Sequence, residues 1–259
     1  MFLIRVLIKR KLSIIALLCM LLSFNISAEV TNIPLQHVRL DFNDKASLQR
    51  GVKYFTNYCT SCHSMSYLRY NRMAKDLNIT DDDGNILKDL LKAHLMFNTD
   101  KVSDHMMSSI SKSDAKTWFG VVPPDLTMAT RSRSPDWVYT YLKSFYIDST
   151  RTWGVNNLIF KDVAMPHVLA NLQGEQLLTY SESYGSVQKH VGKLELVKSG
   201  KLTEKEYDHV VTDIVNFMNY AAEPNKDQRI HMGIGVLLFL GVLLVFVYML
   251  KREYWKDIH

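Results

Sequence analysis

Two cysteines and a histidine carry the clearest chemistry of the chain, in the motif Cys59-Thr60-Ser61-Cys62-His63. Cys-x-x-Cys-His is the spacing at which c-type haem is attached to protein. Thiols about one helical turn apart can each add to one vinyl group of a porphyrin, and the adjacent imidazole then lies under the ring, where its nitrogen can bind iron. The motif therefore predicts one covalently attached haem c, with His63 as an axial ligand of the iron.

Three other interpretations of these cysteines are open. A disulfide between Cys59 and Cys62 would close a very short loop, would stabilise little, and would leave His63 unexplained. A thiol–disulfide oxidoreductase needs a βαβ context, which the surrounding sequence lacks. A zinc site would need two more Cys or His at close spacing, and none is near. With only three cysteines in the chain, a disulfide framework is excluded.

An iron that only transfers electrons needs a ligand on its other side. Methionine sulfur raises the reduction potential and histidine lowers it. Among twelve methionines, Met165 precedes Pro166, which forbids helix and holds the preceding residue extended, so the thioether can project from a rigid loop. His167 is an alternative ligand. Spacing alone also leaves three other methionines as candidates, Met106, Met107 and Met128.

Consecutive prolines, Pro123 and Pro124, stand shortly before Arg131 and Arg133. Two prolines form a stiff, extended wall without amide donors, which suits the edge of a haem. A guanidinium nearby could hold a haem propionate through paired, charged hydrogen bonds. The alternative is a surface loop with solvated arginines.

The elements that must position these residues are predicted to be mainly α-helical, with long loops. Strand signals are weak, and residues 121–133 and 149–173 are expected to be irregular. Apolar residues at helical spacing predict three helices, with Leu48, Val52 and Phe55 in the first, Trp137, Val138, Tyr141, Leu142 and Phe145 in the second, and Val210, Val211, Ile214, Val215, Phe217 and Met218 in the third.

Two apolar segments predict the path across a membrane. Residues 1–28 have the basic, apolar and small-residue regions of a secretory signal peptide; an uncleaved anchor is the alternative. Residues 227–250 contain an uncharged run long enough to span the membrane, with a buried core helix as the alternative. Basic residues after that run place the tail, 251–259, in the cytoplasm. Residues 29–226 are then an exported, periplasmic haem domain.

The charge pattern argues against a nucleic-acid partner. The formal net charge is +5, but it is concentrated in the two terminal segments, and residues 29–226 are formally neutral. A nucleic-acid footprint needs a basic face on the folded domain. We therefore expect membrane lipid, and no nucleic acid, among the partners.

Six stretches together resemble the cytochrome c1 family of the bacterial type, which is the haem-bearing subunit of the cytochrome bc1 complex. They follow one another through nearly all of residues 35–257, so the resemblance is far more specific than the haem motif alone. The stretches are LQRGVKYFTNYCTSCHS, VPPDLTMATRSR, DWVYTYLKSFY, RTWGVNNLIFKDVAMPHVL, DIVNFMNYAAEP and LKREYWKD.

The resemblance implies roles for individual residues. Cys59 and Cys62 match the thioether positions, and His63 matches the proximal ligand. Met165 matches the distal methionine. The site is completed by Arg133, which matches an arginine that contacts a haem propionate, and by Pro124, which matches the wall beside the ring.

Two further positions are notable in the resemblance. Gly51 matches a glycine where the first helix crosses the helix containing Phe217 and Tyr220. Trp137 stands where an aromatic residue, commonly tyrosine, occurs. Residues 70–115 are only loosely similar to the family, which leaves the docking surfaces in this region unassigned.

The resemblance also implies a function. The expected fold is a cytochrome c-type domain with long loops and one C-terminal transmembrane helix. The expected partners are cytochrome b, the Rieske iron–sulfur protein and a c-type cytochrome that accepts one electron during ubiquinol oxidation, at the bacterial inner membrane. The chain itself is expected to be an electron carrier without catalytic residues. A stand-alone anchored carrier, a cytochrome subunit of another oxidase or reductase, and a haem enzyme such as a peroxidase are the alternatives.

Overall fold

The computed structural model of the chain describes residues 33–179 and 192–256. The predicted signal peptide, residues 1–28, lies outside the described residues, and Cys19 lies with it. The haem motif, Met165 and the C-terminal apolar segment are all described.

Helices dominate the described part of the chain. They are α1 (Lys45–Tyr58), α2 (Tyr70–Asp76), α3 (Lys88–His94), α4 (Lys112–Phe119), α5 (Ala129–Arg133), α6 (Pro135–Lys143), α7 (Ala170–Gln173), α8 (Glu204–Ala222) and α9 (Lys226–Tyr254). The strands are β1 (Met65–Arg69), β2 (His105–Met106), β3 (Phe145–Ile147), β4 (Val155–Asn157), β5 (Gly174–Thr179) and β6 (Lys193–Ser199). This confirms the mainly α fold with long loops and one C-terminal apolar helix.

The strands form three antiparallel pairs, β1 with β2, β3 with β4, and β5 with β6. They correct the sequence prediction in two places. Phe145, predicted to continue the second helix, lies in β3, because the helix ends at Lys143 and Phe145 pairs with Asn157. The stretches predicted to be irregular contain α5, β4 and α7, which are too short to give a periodic signal.

The core is built on the crossing of α1 and α8. Leu48, Val52 and Phe55 on α1 are fully buried, as is Phe217 on α8. The rings of Phe55 and Phe217 lie 5.6 Å apart. At the crossing, a Cβ atom on Gly51 would lie 2.1 Å from the carbonyl oxygen of Asp213 and 2.7 Å from Cβ of Phe217. The two backbones can approach this closely only because Gly51 has no side chain.

Both helices begin at well-formed N-terminal caps. The carboxylate of Asp44 accepts a hydrogen bond from the amide of Ser47 at 2.9 Å, at the start of α1. At the start of α8, the side chains of Thr203 and Glu206 each accept a hydrogen bond from the other residue's amide, which is a capping box. These caps set the first residue of each helix and hence the register of the crossing.

A buried charge on α8 also ties the two helices together. The Asp213 side chain is only 8% exposed and accepts hydrogen bonds from Nε and Nη2 of Arg50 at 2.7 and 3.0 Å. Ser47 donates to the same carboxylate at 2.7 Å. A carboxylate removed from water needs such partners. The network therefore restricts α1 and α8 to one relative position.

Helix α9 is long and apolar enough to cross a membrane, and is the one such helix among residues 33–179 and 192–256. Its 29 residues span about 43 Å at 1.5 Å per residue, more than the ~30 Å hydrocarbon core. None of its side chains is buried against the rest of the protein. The alternative of a buried core helix is therefore excluded for α9, whose length and composition fit a membrane span.

Replacement of Gly51 by alanine tests the helix crossing. Alanine normally stabilises a helix by ~1 kcal/mol relative to glycine. Here its methyl group would meet a backbone carbonyl that cannot rotate away, so we expect a net destabilisation of about 1–2 kcal/mol. Thermal unfolding of the full chain in detergent, followed by circular dichroism, should show a midpoint lowered by a few degrees. Lys53→Ala, at an exposed position of α1, should leave it nearly unchanged; a Gly51→Ala protein as stable as the parent would contradict the close crossing.

Candidate functional site

The haem motif forms a tight turn directly after α1. The amide of Cys59 donates to the carbonyl of Phe55 at 2.8 Å and continues the helix for one residue. The amides of Cys62 and His63 both donate back to the carbonyl of Cys59, at 3.1 and 2.8 Å. Because α1 is fixed in the core, its end presents both thiols and the imidazole from one short, rigid segment.

Cys59 and Cys62 are free thiols, each half-buried. Burial, together with the neighbouring Cys62, raises the pKa of Cys59 to about 12. A thiol–disulfide oxidoreductase needs the opposite shift, since the thiolate is the nucleophile. The described residues also contain no group of three or more His, Cys, Asp or Glu able to hold a metal ion, as the zinc alternative would require.

The ring of His63 is oriented by the proline loop. Its Nδ1 lies 2.8 Å from the carbonyl oxygen of Pro124. A carbonyl oxygen can only accept, so Nδ1 carries the proton and the lone pair of Nε2 is free to bind a metal. Burial lowers the pKa of His63, against opposing effects of Pro124 and Asp125, and favours this neutral form. The residues present therefore fit the proximal side of a haem.

The proline loop is itself fixed to the strand that follows the motif. Asp125 accepts hydrogen bonds from the amide and the hydroxyl of Ser66 at 2.8 and 2.6 Å, and from the amide of Thr127 at 2.9 Å. Burial alone would raise the pKa of Asp125, but these hydrogen bonds lower it. Leu126 also donates to the carbonyl of Ser64 at 2.9 Å. Hence the acceptor for His63 cannot move independently of the motif.

Met165 contacts the last of three side chains that are spaced four residues apart along the chain, Arg133, Trp137 and Tyr141. The guanidinium of Arg133 lies 5.2 Å from the ring centre of Trp137. Trp137 stacks on Tyr141 with ring centres 5.1 Å apart and an interplanar angle of 11°. The hydroxyl of Tyr141 donates to the sulfur of Met165 at 3.4 Å. Side-chain contacts thus link Arg133 to Met165, and a hydrogen bond links Pro124 to His63. Pro124 and Arg133 belong to one short segment, residues 124–133, which therefore connects the surroundings of His63 with those of Met165.

Two buried asparagines shape the loop that leads to Met165. Asn157 is 1% exposed. Its amide group donates to the carbonyl of Tyr141 at 2.8 Å, and its oxygen accepts from the amides of Ile159 and Phe160 at 3.1 and 3.3 Å. The oxygen of Asn156 accepts from the amide of Asp162 at 2.9 Å. These bonds replace regular secondary structure and fasten the loop to the end of α6.

The other candidate ligands have different surroundings. His167 stacks on Phe145, with ring centres 4.8 Å apart and planes within 1°, and its Nε2 is buried without a partner. Burial, opposed by Gln173, lowers the pKa of His167 to about 4, so this ring is neutral. Met106 is fully buried in the core, whereas Met107 and Met128 are 47% and 40% exposed.

Sequence reasoning missed three contributors to the site: the carbonyl of Pro124, the hydroxyl of Tyr141 and the side chain of Asn157. Tyr141 was predicted only as an apolar helix residue. Its position four residues after Trp137 was the available signal, because residues four apart share one helix face. No comparable signal marked the Pro124 carbonyl, since any residue carries one.

Comparison with known proteins identifies the family. The model of the cytochrome C1 family matches residues 37–258. This chain belongs to the cytochrome c1 family. Cytochrome c1 of Allochromatium vinosum is 51% identical over 226 residues, 87% of this chain and 90% of that protein. A Nitrosomonas europaea protein named ammonia monooxygenase gamma subunit is 42% identical over 250 residues, 96% of this chain and 100% of that protein. Cytochrome c1 of Rhodospirillum rubrum is 26% identical over 233 residues, 83% of each chain.

Membership of the cytochrome c1 family confirms the cofactor and the role expected from the resemblance. Cytochrome c1 bears covalently attached haem c and is an electron-transfer subunit of the cytochrome bc1 complex. The fold described above is that of a cytochrome c1 domain with one candidate membrane helix.

Replacement of Asn157 by leucine tests whether the buried asparagine stabilises the loop before Met165. It would leave the amides of Ile159 and Phe160 without their acceptor and would remove one of the two hydrogen bonds to the Tyr141 carbonyl, which then keeps only the bond from the Ser144 amide, at a cost of about 2–4 kcal/mol. We expect a clearly lower midpoint of thermal unfolding. Asn57→Leu removes a bond of equal length, 2.8 Å to the carbonyl of Lys53, at an exposed site, where water replaces it. Equal effects of the two substitutions would contradict the role given to Asn157.

Proposed function

We propose that Cys59 and Cys62 hold the haem through thioether bonds and that His63 and Met165 are the axial ligands of its iron. The observation that carries this proposal is the hydrogen bond from Nδ1 of His63 to the Pro124 carbonyl, which leaves Nε2 available. The free, adjacent thiols and the half-buried thioether at the loop end support it further.

We propose that Arg133 holds a haem propionate and that Pro124 lies beside the ring. Arg133 is exposed and stacks on Trp137. Within the described residues it has no carboxylate partner of its own, so its five donors are available for an anion. The carbonyl of Pro124 accepts the hydrogen bond from the proposed proximal ligand, which fixes this proline close to the haem motif.

When bound, haem c supplies a one-electron iron couple. This chain orients the side chains that would hold the haem, shields them from water and sets the reduction potential. The Pro124 carbonyl fixes the tautomer and the plane of the His63 ring. The aromatic side chains of Trp137, Tyr141 and Phe145 provide a shell of low polarity near Met165. If His63 and Met165 hold the iron, the methionine sulfur would favour a high potential, as an acceptor of electrons from an iron–sulfur protein requires.

We propose that one electron passes from the Rieske protein through this chain to a c-type cytochrome, with residues 29–226 on the periplasmic side of the inner membrane. The cluster of Lys251, Arg252 and Lys256 after the apolar run supports this orientation, because basic residues stay in the cytoplasm. In this topology residues 1–28 are the signal peptide, 227–250 the anchor and 251–259 the cytoplasmic tail.

A second function is favoured by one observation. The Nitrosomonas europaea relative that aligns along its whole length bears the name of a monooxygenase subunit. The same haem domain could therefore deliver electrons within a different oxidoreductase. Purification of the chain from its native membrane separates the two: co-purification with cytochrome b and a Rieske protein supports the bc1 function, and co-purification with a monooxygenase supports the second.

Met165→Leu tests the distal ligand. Leucine keeps the volume but removes the sulfur, so haem should be retained while the midpoint potential falls by on the order of 0.1 V or more. The reduced protein should then bind carbon monoxide, which spectroscopy on isolated membranes detects.

The matched controls for this experiment are Met107→Leu and Met128→Leu, which make the same change at exposed methionines. Both should leave the potential and the carbon monoxide spectrum of the parent. An unchanged redox titration for Met165→Leu, or an altered one for either control, would contradict the assignment.

A further inference from the structure

We propose that Tyr141 is a positioning residue for Met165: its hydroxyl holds the sulfur through a hydrogen bond and thereby raises the reduction potential of the centre. This inference rests on the proposed role of Met165 as a ligand. It concerns a residue that the site assignment does not contain and that makes no proposed contact with iron.

The contact itself is direct. The Tyr141 hydroxyl donates to the Met165 sulfur at 3.4 Å. A thioether sulfur has two lone pairs and is a weak acceptor. One lone pair can accept the tyrosine proton while the other remains free to bind a metal. The hydrogen bond and the proposed ligation are therefore compatible, and together they define the rotation of the methyl-thioether group.

The ring of Tyr141 is held on three sides, which gives the hydroxyl one direction. It stacks on Trp137 at 5.1 Å, meets Phe145 edge-on at 5.3 Å with an angle of 72°, and meets Phe160 at 6.4 Å with an angle of 74°. Its backbone carbonyl accepts the bond from Asn157 described above. A ring packed in this way cannot swing its hydroxyl towards solvent without displacing its neighbours.

The same aromatic residues fasten the chain on both sides of Met165. Phe160 precedes the methionine in the loop and contacts Tyr141. Phe145 contacts Tyr141 on one side and stacks on His167, two residues after the methionine, on the other. Tyr141 thus contacts the loop before and at the proposed ligand, and is linked to His167 after it through Phe145.

The hydrogen bond has a defined electronic effect. A proton donor on the sulfur withdraws electron density and makes it a weaker donor to iron, and a weaker donor favours the reduced state. Tyr141→Phe keeps the ring and removes only the hydroxyl. At a fixed applied potential, we expect its ratio of reduced to oxidised protein to fall by about twofold to tenfold. The sulfur-to-iron charge-transfer band of the oxidised protein should move to longer wavelength.

The experiment compares four proteins in isolated membranes, as full chains: the parent, Tyr141→Phe, Tyr139→Phe and Met165→Leu. Tyr139 is the matched control, because it lies on the same helix as Tyr141. Its hydroxyl accepts a hydrogen bond from Lys143 and, within the described residues, makes no hydrogen bond to a methionine sulfur. Redox titration and the band position are measured for each, with haem content and the midpoint of thermal unfolding as checks of folding. A packing defect alone would lower the unfolding midpoint without moving the band.

The outcomes separate this inference from the proposed function. If Met165→Leu does not change the titration, the ligand assignment fails, and the role of Tyr141 fails with it. If Met165→Leu lowers the potential while Tyr141→Phe matches the parent and Tyr139→Phe, only the role of Tyr141 is overturned. Loss of haem from Tyr141→Phe, with haem retained in Tyr139→Phe, would equally overturn it, since a hydrogen bond to one sulfur does not decide folding.

Discussion

The close crossing of α1 and α8 is the constraint on which the rest of the structure depends. With no side chain at Gly51, the backbone carbonyl of Asp213 occupies the space that a Cβ would need. The Arg50–Asp213 ion pair then fixes the two helices in that position. Because the haem motif is the direct continuation of α1, the placement of its thiols and imidazole follows from this contact. The segments that carry the other half of the site, α5 and α6, pack on the same α8.

The site is held by hydrogen bonds and ring contacts because its loops contain little regular structure. The Pro124 carbonyl orients His63, Asp125 locks the proline loop to Ser66, and Asn157 fastens the methionine loop to the end of α6. Without these bonds such loops would be mobile, and the proposed ligands would be accessible to water. The buried polar side chains therefore act in place of strands and helices, and the placement of the proposed ligands depends on the packing of the whole domain.

The sequence was sufficient to predict the long elements and the covalent chemistry. Leu48, Val52 and Phe55 marked α1, Trp137, Val138 and Leu142 marked α6, and the uncharged run within residues 227–250 marked α9, because each signal is local. Phe145 was wrongly placed in a helix, since its pairing with Asn157 depends on a residue twelve positions away. The hydroxyl of Tyr141 and the carbonyl of Pro124 gained their roles from neighbours 24 and 61 positions distant, which no periodicity encodes.

In the proposed function, two thioether bonds from Cys59 and Cys62 hold the haem on this chain. The most direct measurement is a haem stain after denaturing electrophoresis of membranes that contain the full chain, beside a Cys59→Ser/Cys62→Ser double variant. Covalent attachment predicts a stained band at the mass of the parent chain and none for the double variant, with antibody detection showing both polypeptides. An unstained parent band, or a stain that persists in the double variant, would contradict the account.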